Sequence, residues 1–224
     1  MKIIGIVPAR KGSKSIKNKN IFKINKKALI EYTFAEIKKS KLNRCYVLTD
    51  SQKIKKIANN YKINSNYIRP KKLSNDDTSL LSNLVHFYKW LDNEEVKFDY
   101  LLVLQPTSPA RSFFDINSVI KILKKKKPDS LFSVNISTEH PYESIKVKKS
   151  KWYHILSKAK KFYRRQDFDF DSFFINGAIY AIHNKIIRKK KLIGSKHALY
   201  KMPKIRSFDI DDHEDIEIIR KILK

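Results

Sequence analysis

Along most of the chain, short continuous apolar runs alternate with segments of helical periodicity. The runs at residues 3–7 (IIGIV), 45–49 (CYVLT), 66–68 (NYI), 100–104 (YLLVL) and 130–134 (SLFSV) read as buried strands. Between them apolar residues recur at helical spacing in three sets: Ile54, Ile57, Ala58 and Tyr61; Leu81, Leu84, Val85 and Tyr88; Ile116, Val119, Ile120 and Leu123. Ser112 followed by Asp115 has the form of a capping box for the third helix. Strand and helix alternating in this way predict an α/β fold, a doubly wound and mostly parallel sheet with helices on both faces.

The rhythm changes after residue 134. Residues 142–156 (YESIKVKKSKWYHIL) alternate over short runs with no helix between them, which predicts a small antiparallel excursion. A further buried strand at 173–182 (FFINGAIYAI) follows, and the chain closes with FDID and a helix carrying Ile216, Ile219 and Leu223. The organisation expected is one domain over residues 1–224 with an insertion at about 136–172. No internal repeat and no linker is visible.

Composition adds a charge question. The 224 residues hold 49 Lys plus Arg against 22 Asp plus Glu, a formal charge of +27. Such a surplus raises nucleic acid as a partner. The surplus is mostly Lys, however, and is spread along the chain, as in KKKK at 124–127 and RKKK at 188–191. No zinc-finger spacing, RNP-like motif or basic zipper accompanies it, so a solvated basic surface is the better reading. Cys45 is the sole cysteine, which excludes an intrachain disulfide and suits a reducing compartment. The opening MKIIGIVPARK is too short in its apolar run for a signal peptide, and no stretch reaches transmembrane length. A cytoplasmic protein without a membrane partner is expected.

Charge is concentrated in one place that matters. VPARKGSKSIKNKN, residues 7–20, leaves the first strand at the sheet edge where ligands of open α/β folds bind. Arg10, Lys11, Lys14, Lys17 and Lys19 project there, suited to a polyanion. The loop lacks both the Walker A order and a GxGxxG fingerprint, so side-chain cations must neutralise any phosphates. A solvated loop in a Lys-rich chain is the plainer alternative.

Four segments resolve the choice by resemblance. VPARKGSKSIKNKN resembles the start of the acylneuraminate cytidylyltransferases, the CMP-sialic acid and CMP-nonulosonic acid synthetases, keeping Pro8, Ala9, Arg10, Ser13, Lys14, Lys19 and Asn20. LQPTSPAR at 104–111 is similar to the family's L-Q-P-T-S-P-L-R, with Ala110 the one change. INGAIYAI at 175–182 and DIDDHEDI at 209–216 resemble two further family segments in the same order. The resemblance is therefore essentially full length. It implies the nucleotide-diphospho-sugar transferase-like form of the α/β fold, and a sugar acid's anomeric hydroxyl attacking the α-phosphate of CTP with release of pyrophosphate. It also implies a homodimer assembled through the insertion.

Charge counting fits that chemistry: a free triphosphate carries about four negative charges, which one Mg²⁺ and two or three side-chain cations offset. By resemblance Arg10 and Lys14 grip the phosphates, with Ser13, Lys19 and Asn20 beside the nucleotide. Arg69 lies near the cytosine, and Ser79 or Thr78 reads the base. Asp209 and Asp211, two apart in an extended segment, share a face as one Mg²⁺ requires; the alternative is that they cap the following helix, for which Asp212 is already placed. No His or Cys grouping suggests zinc. Arg165 matches a carboxylate-binding Arg, with Arg164 as the alternative, and Gln105, Asn176 and Tyr180 match positions that hydrogen-bond the sugar. Core packing is the alternative for Tyr180; Thr107 and Ser108 are expected to bind the substrate too, with a structural loop as their alternative. Arg10, Lys14 and Asp211 carry catalysis in this reading, and no residue declares itself the general base.

Two departures bear on the acceptor. Glu143 stands after HP (140–141) where sialic-acid enzymes can present a Lys, and Leu192 and Ile193 stand where a partner subunit can offer an aromatic pair. The acceptor is thus left open among sialic, legionaminic, pseudaminic and related nonulosonic acids, with a Kdo-type acid or another nucleotidyl transfer as alternatives.

Overall fold

The structure is a computed structural model that describes residues 1–161 and 164–223. In chain order the elements are β1 (Ile3–Pro8), β2 (Lys23–Ile24), β3 (Lys27–Ala28), α1 (Leu29–Lys39), β4 (Arg44–Leu48), α2 (Gln52–Asn60), α3 (Leu80–Asn93), β5 (Tyr100–Leu104), α4 (Phe113–Lys126) and β6 (Ser130–Ile136). There follow β7 (Ile145–Lys148), β8 (Lys151–His154), β9 (Phe173–His183), α5 (Asn184–Arg188), β10 (His197–Lys201) and α6 (His213–Ile222).

Six strands form the central sheet in the order β10-β6-β9-β5-β1-β4. Pairings of β1 with β4 and β5, and of β10 with β6, are parallel; β9 runs antiparallel between β5 and β6. The expected mostly parallel α/β sheet is therefore present. Buried residues of α1, α2 and α4 (Phe34, Ile54 and Val119 among them) pack one face. Leu84, Phe87 and Leu91 of α3, with Ile186 and Ile187 of α5, cover the other. Chain connections leave β1 toward β4 on one side and return to β5 on the other, so the loops after β1 and β5 flank a topological switch point.

One expectation is corrected. Residues 66–68 form no strand; the chain there makes isolated bridges, Asn64 with Tyr46 of β4 and Ile68 with Thr49 just beyond it. Tyr67 is instead buried against Phe87 and Trp90, which explains its apolar context. Asp115 accepts from the Ser112 N–H at 2.9 Å, as the capping box requires, but it also takes two guanidinium bonds from Arg206 at 2.9 Å each and one from Tyr200 Oη at 2.8 Å. The excursion after β6 is an antiparallel hairpin, β7 with β8; residues 162 and 163 of the 136–172 segment lie outside the described residues.

One irregularity shapes the site. Phe132 pairs with Tyr180 but Val134 pairs with Ile175, so β9 carries extra residues in a bulge. Gly177 supplies the positive φ of 76° that the bulge needs. The freed backbone groups are met from inside: Ile179 N–H donates to Ser133 Oγ at 2.8 Å, Ala178 N–H to Asn176 Oδ1 at 3.1 Å, and Arg111 Nη1 donates to the Ala178 carbonyl at 2.8 Å.

Candidate active site

The loop after β1, the loop after β5 and the connection between α2 and α3 enclose a cleft of about 260 Å³ at the carboxyl edge of the sheet. Arg10, Ser13, Lys19 and Asn20 line it from the first, Gln105 and Thr107 from the second, and Arg69, Asp76 and Thr78 from the third, with Asn83 of α3 beside them. Of the site residues expected from the sequence, Arg10, Ser13, Lys19, Asn20, Arg69, Gln105 and Thr107 are in this lining, whereas Lys14, Ser79, Ser108, Arg165, Asn176, Tyr180, Asp209 and Asp211 are not.

The basic loop is built as much as charged. Asn18 takes a left-handed conformation, φ 56°. Ser13 Oγ accepts the Lys19 N–H at 2.9 Å and donates to the Ile16 carbonyl, so its hydroxyl closes the turn. Asn20 Nδ2 donates to the Arg10 carbonyl at 3.0 Å, holding the loop's entrance to its exit. Ile16 is buried with Ile24, Leu29, Ile210, Ile216 and Ile219, which binds the loop to α6 and the segment before it. Lys19 Nζ donates to the carbonyls of Ile210 at 2.9 Å and Asp211 at 3.1 Å, and Ser15 Oγ donates to the latter too.

Arg10 forms an ion pair with Asp76, and Lys14 Nζ lies 3.8 Å from the same carboxylate while remaining largely exposed. Two cations assigned to phosphate thus converge on one anionic point within the cleft wall. Asp76 escaped the sequence reading; the acidic pair in NDDT within a Lys-rich chain was its one visible sign. Arg69 is 6 % exposed, and burial lowers its pKa while Asp50 opposes the shift. Its Nε and Nη2 both donate to the Leu73 carbonyl. Of the two hydroxyls offered for the base, Ser79 Oγ caps α3 by accepting the Ser82 N–H at 3.1 Å, and Thr78 lines the cleft.

Asp209 is half-buried; burial raises its pKa, reinforced by Asp211, against hydrogen bonds from Thr107 and Ser108. Ser108 itself is buried, with Oγ 3.1 Å from Asp209 Oδ1. Ile210 is fully buried and Asp211 is exposed, the alternation of an extended segment. Asp212 caps α6, accepting from Glu214 and Asp215 N–H. Among the described residues no group of three or more His, Cys, Asp or Glu gathers to hold a metal.

Two assignments move. Asn176 is 4 % exposed, and its amide is used on Ala178 N–H, Ser133 Oγ and Ser207 Oγ; it clamps the bulge and has no face left for a sugar. Tyr180 is partly buried in edge contact with Phe132, yet near enough to Asp209 for that carboxylate to add to the burial that raises its pKa, so packing and site both claim it. Arg165 stands on the excursion, and its guanidinium meets Glu143 in a two-point pair, Nε to Oε1 at 2.9 Å and Nη2 to Oε2 at 2.8 Å. Arg164 is paired with Asp167. Beneath the cleft Arg111, quoted in LQPTSPAR without a role, is 1 % exposed and donates to the Gln105 carbonyl at 2.9 Å and to Thr33 Oγ1 at 2.7 Å.

A mostly parallel sheet, a switch-point cleft and cations gathered in its wall suit a phosphorylated ligand. The family model for cytidylyltransferases matches residues 4–224, and the chain belongs to that family. It is 30 % identical over 228 residues to the post-translational flagellin modification protein B of Campylobacter coli, covering 99 % of this chain and 95 % of that one. It is 31 % identical to the N-acylneuraminate cytidylyltransferase of Streptococcus agalactiae over 96 % of this chain, and spans about half of that relative, 52 %. A third relative, the CMP-N,N'-diacetyllegionaminic acid synthase of Campylobacter jejuni, is 28 % identical, with 99 % and 94 % covered. In fold the chain resembles a CMP:2-keto-3-deoxy-manno-octonic acid synthetase complexed with CTP, TM-score 0.73 at 14 % identity, over 100 % and 98 % of the two chains.

Proposed function

We propose that this cytidylyltransferase activates a nonulosonic acid, transferring CMP from CTP to the acid's anomeric hydroxyl with release of pyrophosphate. The observation that carries the reading is the meeting of Arg10 and Lys14 at Asp76 in the wall of the switch-point cleft, which Lys19 also lines, a cationic seat suited to a triphosphate. Phosphoryl transfer of this kind depends on neutralised charge and alignment more than on covalent help. Arg10 and Lys14 would exchange Asp76 for phosphate oxygens. Lys19, Ser13 and Asn20 hold the loop in the shape that aims them, and Ser79 orders the turn from which Thr78 faces the base.

Asp209 and Asp211 offer the hard oxygen donors that Mg²⁺ takes, and a carboxylate whose burial disfavours its own charge is suited to a cation. These two residues would hold the ion, which supplies charge neutralisation at the phosphates. Gln105, Thr107 and Tyr180 face the acceptor side of the cleft in this reading. Arg165 presents a guanidinium already aligned on a carboxylate, Glu143, and the acid's own carboxylate would take that place. The exposed apolar residues of the β7–β8 hairpin, Val147, Trp152 and Tyr153, support a homodimer formed through the excursion. Light scattering at the chain mass, not twice it, would remove the dimer. A lone buried Cys45 suits a reducing, cytoplasmic site of action.

The direct test is pyrophosphate release with Mg²⁺, each of the four nucleoside triphosphates and a panel of nonulosonic acids. Release confined to CTP and one acid is expected; silence with every pair sinks the reading. Arg165→Ala should raise the KM for the acid about tenfold or more while leaving that for CTP nearly unchanged. Equal rises in both would remove Arg165 from the carboxylate.

A further inference from the structure

A second cleft opens at the opposite, amino edge of the sheet and, at about 470 Å³, is larger than the switch-point cleft. Its walls are the start of β1, the connection from α1 to β4, the connection from α3 to β5, and α4. Lys2, Lys41, Arg44, Lys97 and Lys124 line it; among the described residues that do so, Glu95 is the one carboxylate. No ion pair joins any of the five cations to a carboxylate among the described residues. Arg44 lies over the Tyr46 ring, 5.2 Å from its centroid. Ile4, Leu42 and Ile120, all buried, give the cleft an apolar floor.

The five cations come from four separate stretches of the chain, so sequence order hides the grouping. Lysines at a helix C-terminus ordinarily answer its dipole, an effect that fades within a turn. That accounts for Lys41, just past α1, and for Lys124 in the last turn of α4. It does not account for Lys2, Arg44 and Lys97, which precede or open strands. Like charges held on one concave surface repel, and their fields add between walls that exclude water. An anion of several charges relieves that repulsion. Five cations against one carboxylate leave four positive charges, and a triphosphate carries about four negative ones. Four lysines to one arginine suit tetrahedral phosphates, which Lys meets as a point charge, better than planar carboxylates, which Arg grips by two bonds. The volume is that of a small-molecule pocket.

We propose that the amino-edge cleft is a second binding site, for a small molecule carrying two or three phosphates. The lysines meet the phosphates, and the apolar floor receives whatever organic body they are attached to. The site is separate from the switch-point cleft and does not depend on the activity proposed above. Strand β1 runs between the two, with Ile3 lining one and Pro8 the other.

The test is calorimetric titration with inorganic tripolyphosphate in about 0.15 M salt, where diffuse attraction to a basic surface is screened. Wild-type and Arg10→Ala protein should both bind it, since the site lies away from Arg10. Lys41→Glu with Lys97→Glu, introduced into Arg10→Ala protein, should weaken that binding about tenfold or more. Lys189→Glu with Lys191→Glu makes the same charge change on exposed lysines outside the cleft, and should leave the affinity within about twofold. Should the cleft pair melt early, Lys41→Gln with Lys97→Gln repeats the comparison against Lys189→Gln with Lys191→Gln. Equal weakening by the two pairs means a diffuse cationic surface only and overturns the proposal. Binding that vanishes in Arg10→Ala protein, or no binding at millimolar tripolyphosphate, overturns it as well and leaves the switch-point cleft untouched. With the cleft pair selective, ATP binding more tightly than tripolyphosphate to Arg10→Ala protein makes the ligand a nucleotide, and equal affinity makes it the phosphate chain alone.

Discussion

Asp209→Asn is expected to cut turnover by about a hundredfold at saturating CTP and acid, the loss of a few kcal/mol of charge stabilisation at the phosphates. The substitution is isosteric, and the Ser108 hydroxyl 3.1 Å away can still donate to an amide oxygen. Stability should hold or rise slightly, because burial in the folded chain already disfavours the charged form of Asp209. The Mg²⁺ concentration for half-maximal rate should climb in parallel. Steady-state kinetics across a Mg²⁺ series, with a thermal melt beside them, check both halves. Unchanged turnover with unchanged Mg²⁺ dependence would take the metal away from this segment.

Arg111→Met should be the most damaging change to the fold itself. The guanidinium is fully buried and supplies donors to the carbonyls of Gln105 and Ala178 and to Thr33 Oγ1. Burial lowers its pKa to about 10, which still leaves it protonated at neutral pH. Methionine fills similar volume but strands those acceptors, at a cost of about 3–5 kcal/mol by analogy with broken buried pairs. For a chain of this size that is a fall of roughly 10 °C in Tm. Because two of the acceptors hold the β5 loop and the β9 bulge, the KM for CTP should rise too. A Tm within 2 °C of wild type, by circular dichroism, would contradict the account.

These two residues also show what could be read from the chain alone. Asp209 was legible because alternation around Ile210 is a local property, visible in four letters. Arg111 was legible only as a letter in a motif, since its partners come from α1, from the end of β5 and from the bulge of β9. The buried runs gave β1, β5 and β9 for the same local reason. The edge strand β10 went unread because its residues, HALYK, alternate between exposed and half-buried and carry charge at the rim. Helix α1 lay outside the three periodic sets. Asp76 had no reading at all, because its significance comes from the cleft that the α2–α3 connection folds against. Asn176 was misplaced for a related reason: a bulge turns inward a side chain that sequence order alone would present at the strand end.

The ties from Ser15 and Lys19 to Ile210 and Asp211 span 191 to 196 residues of sequence. In a chain growing at about 5–20 residues per second, the basic loop therefore emerges roughly 10–40 s before the segment that clasps it. During that interval three of the isoleucines that bury Ile16, namely Ile210, Ile216 and Ile219, have not been made. The basic loop takes its final shape only once the closing segment of the chain has been made.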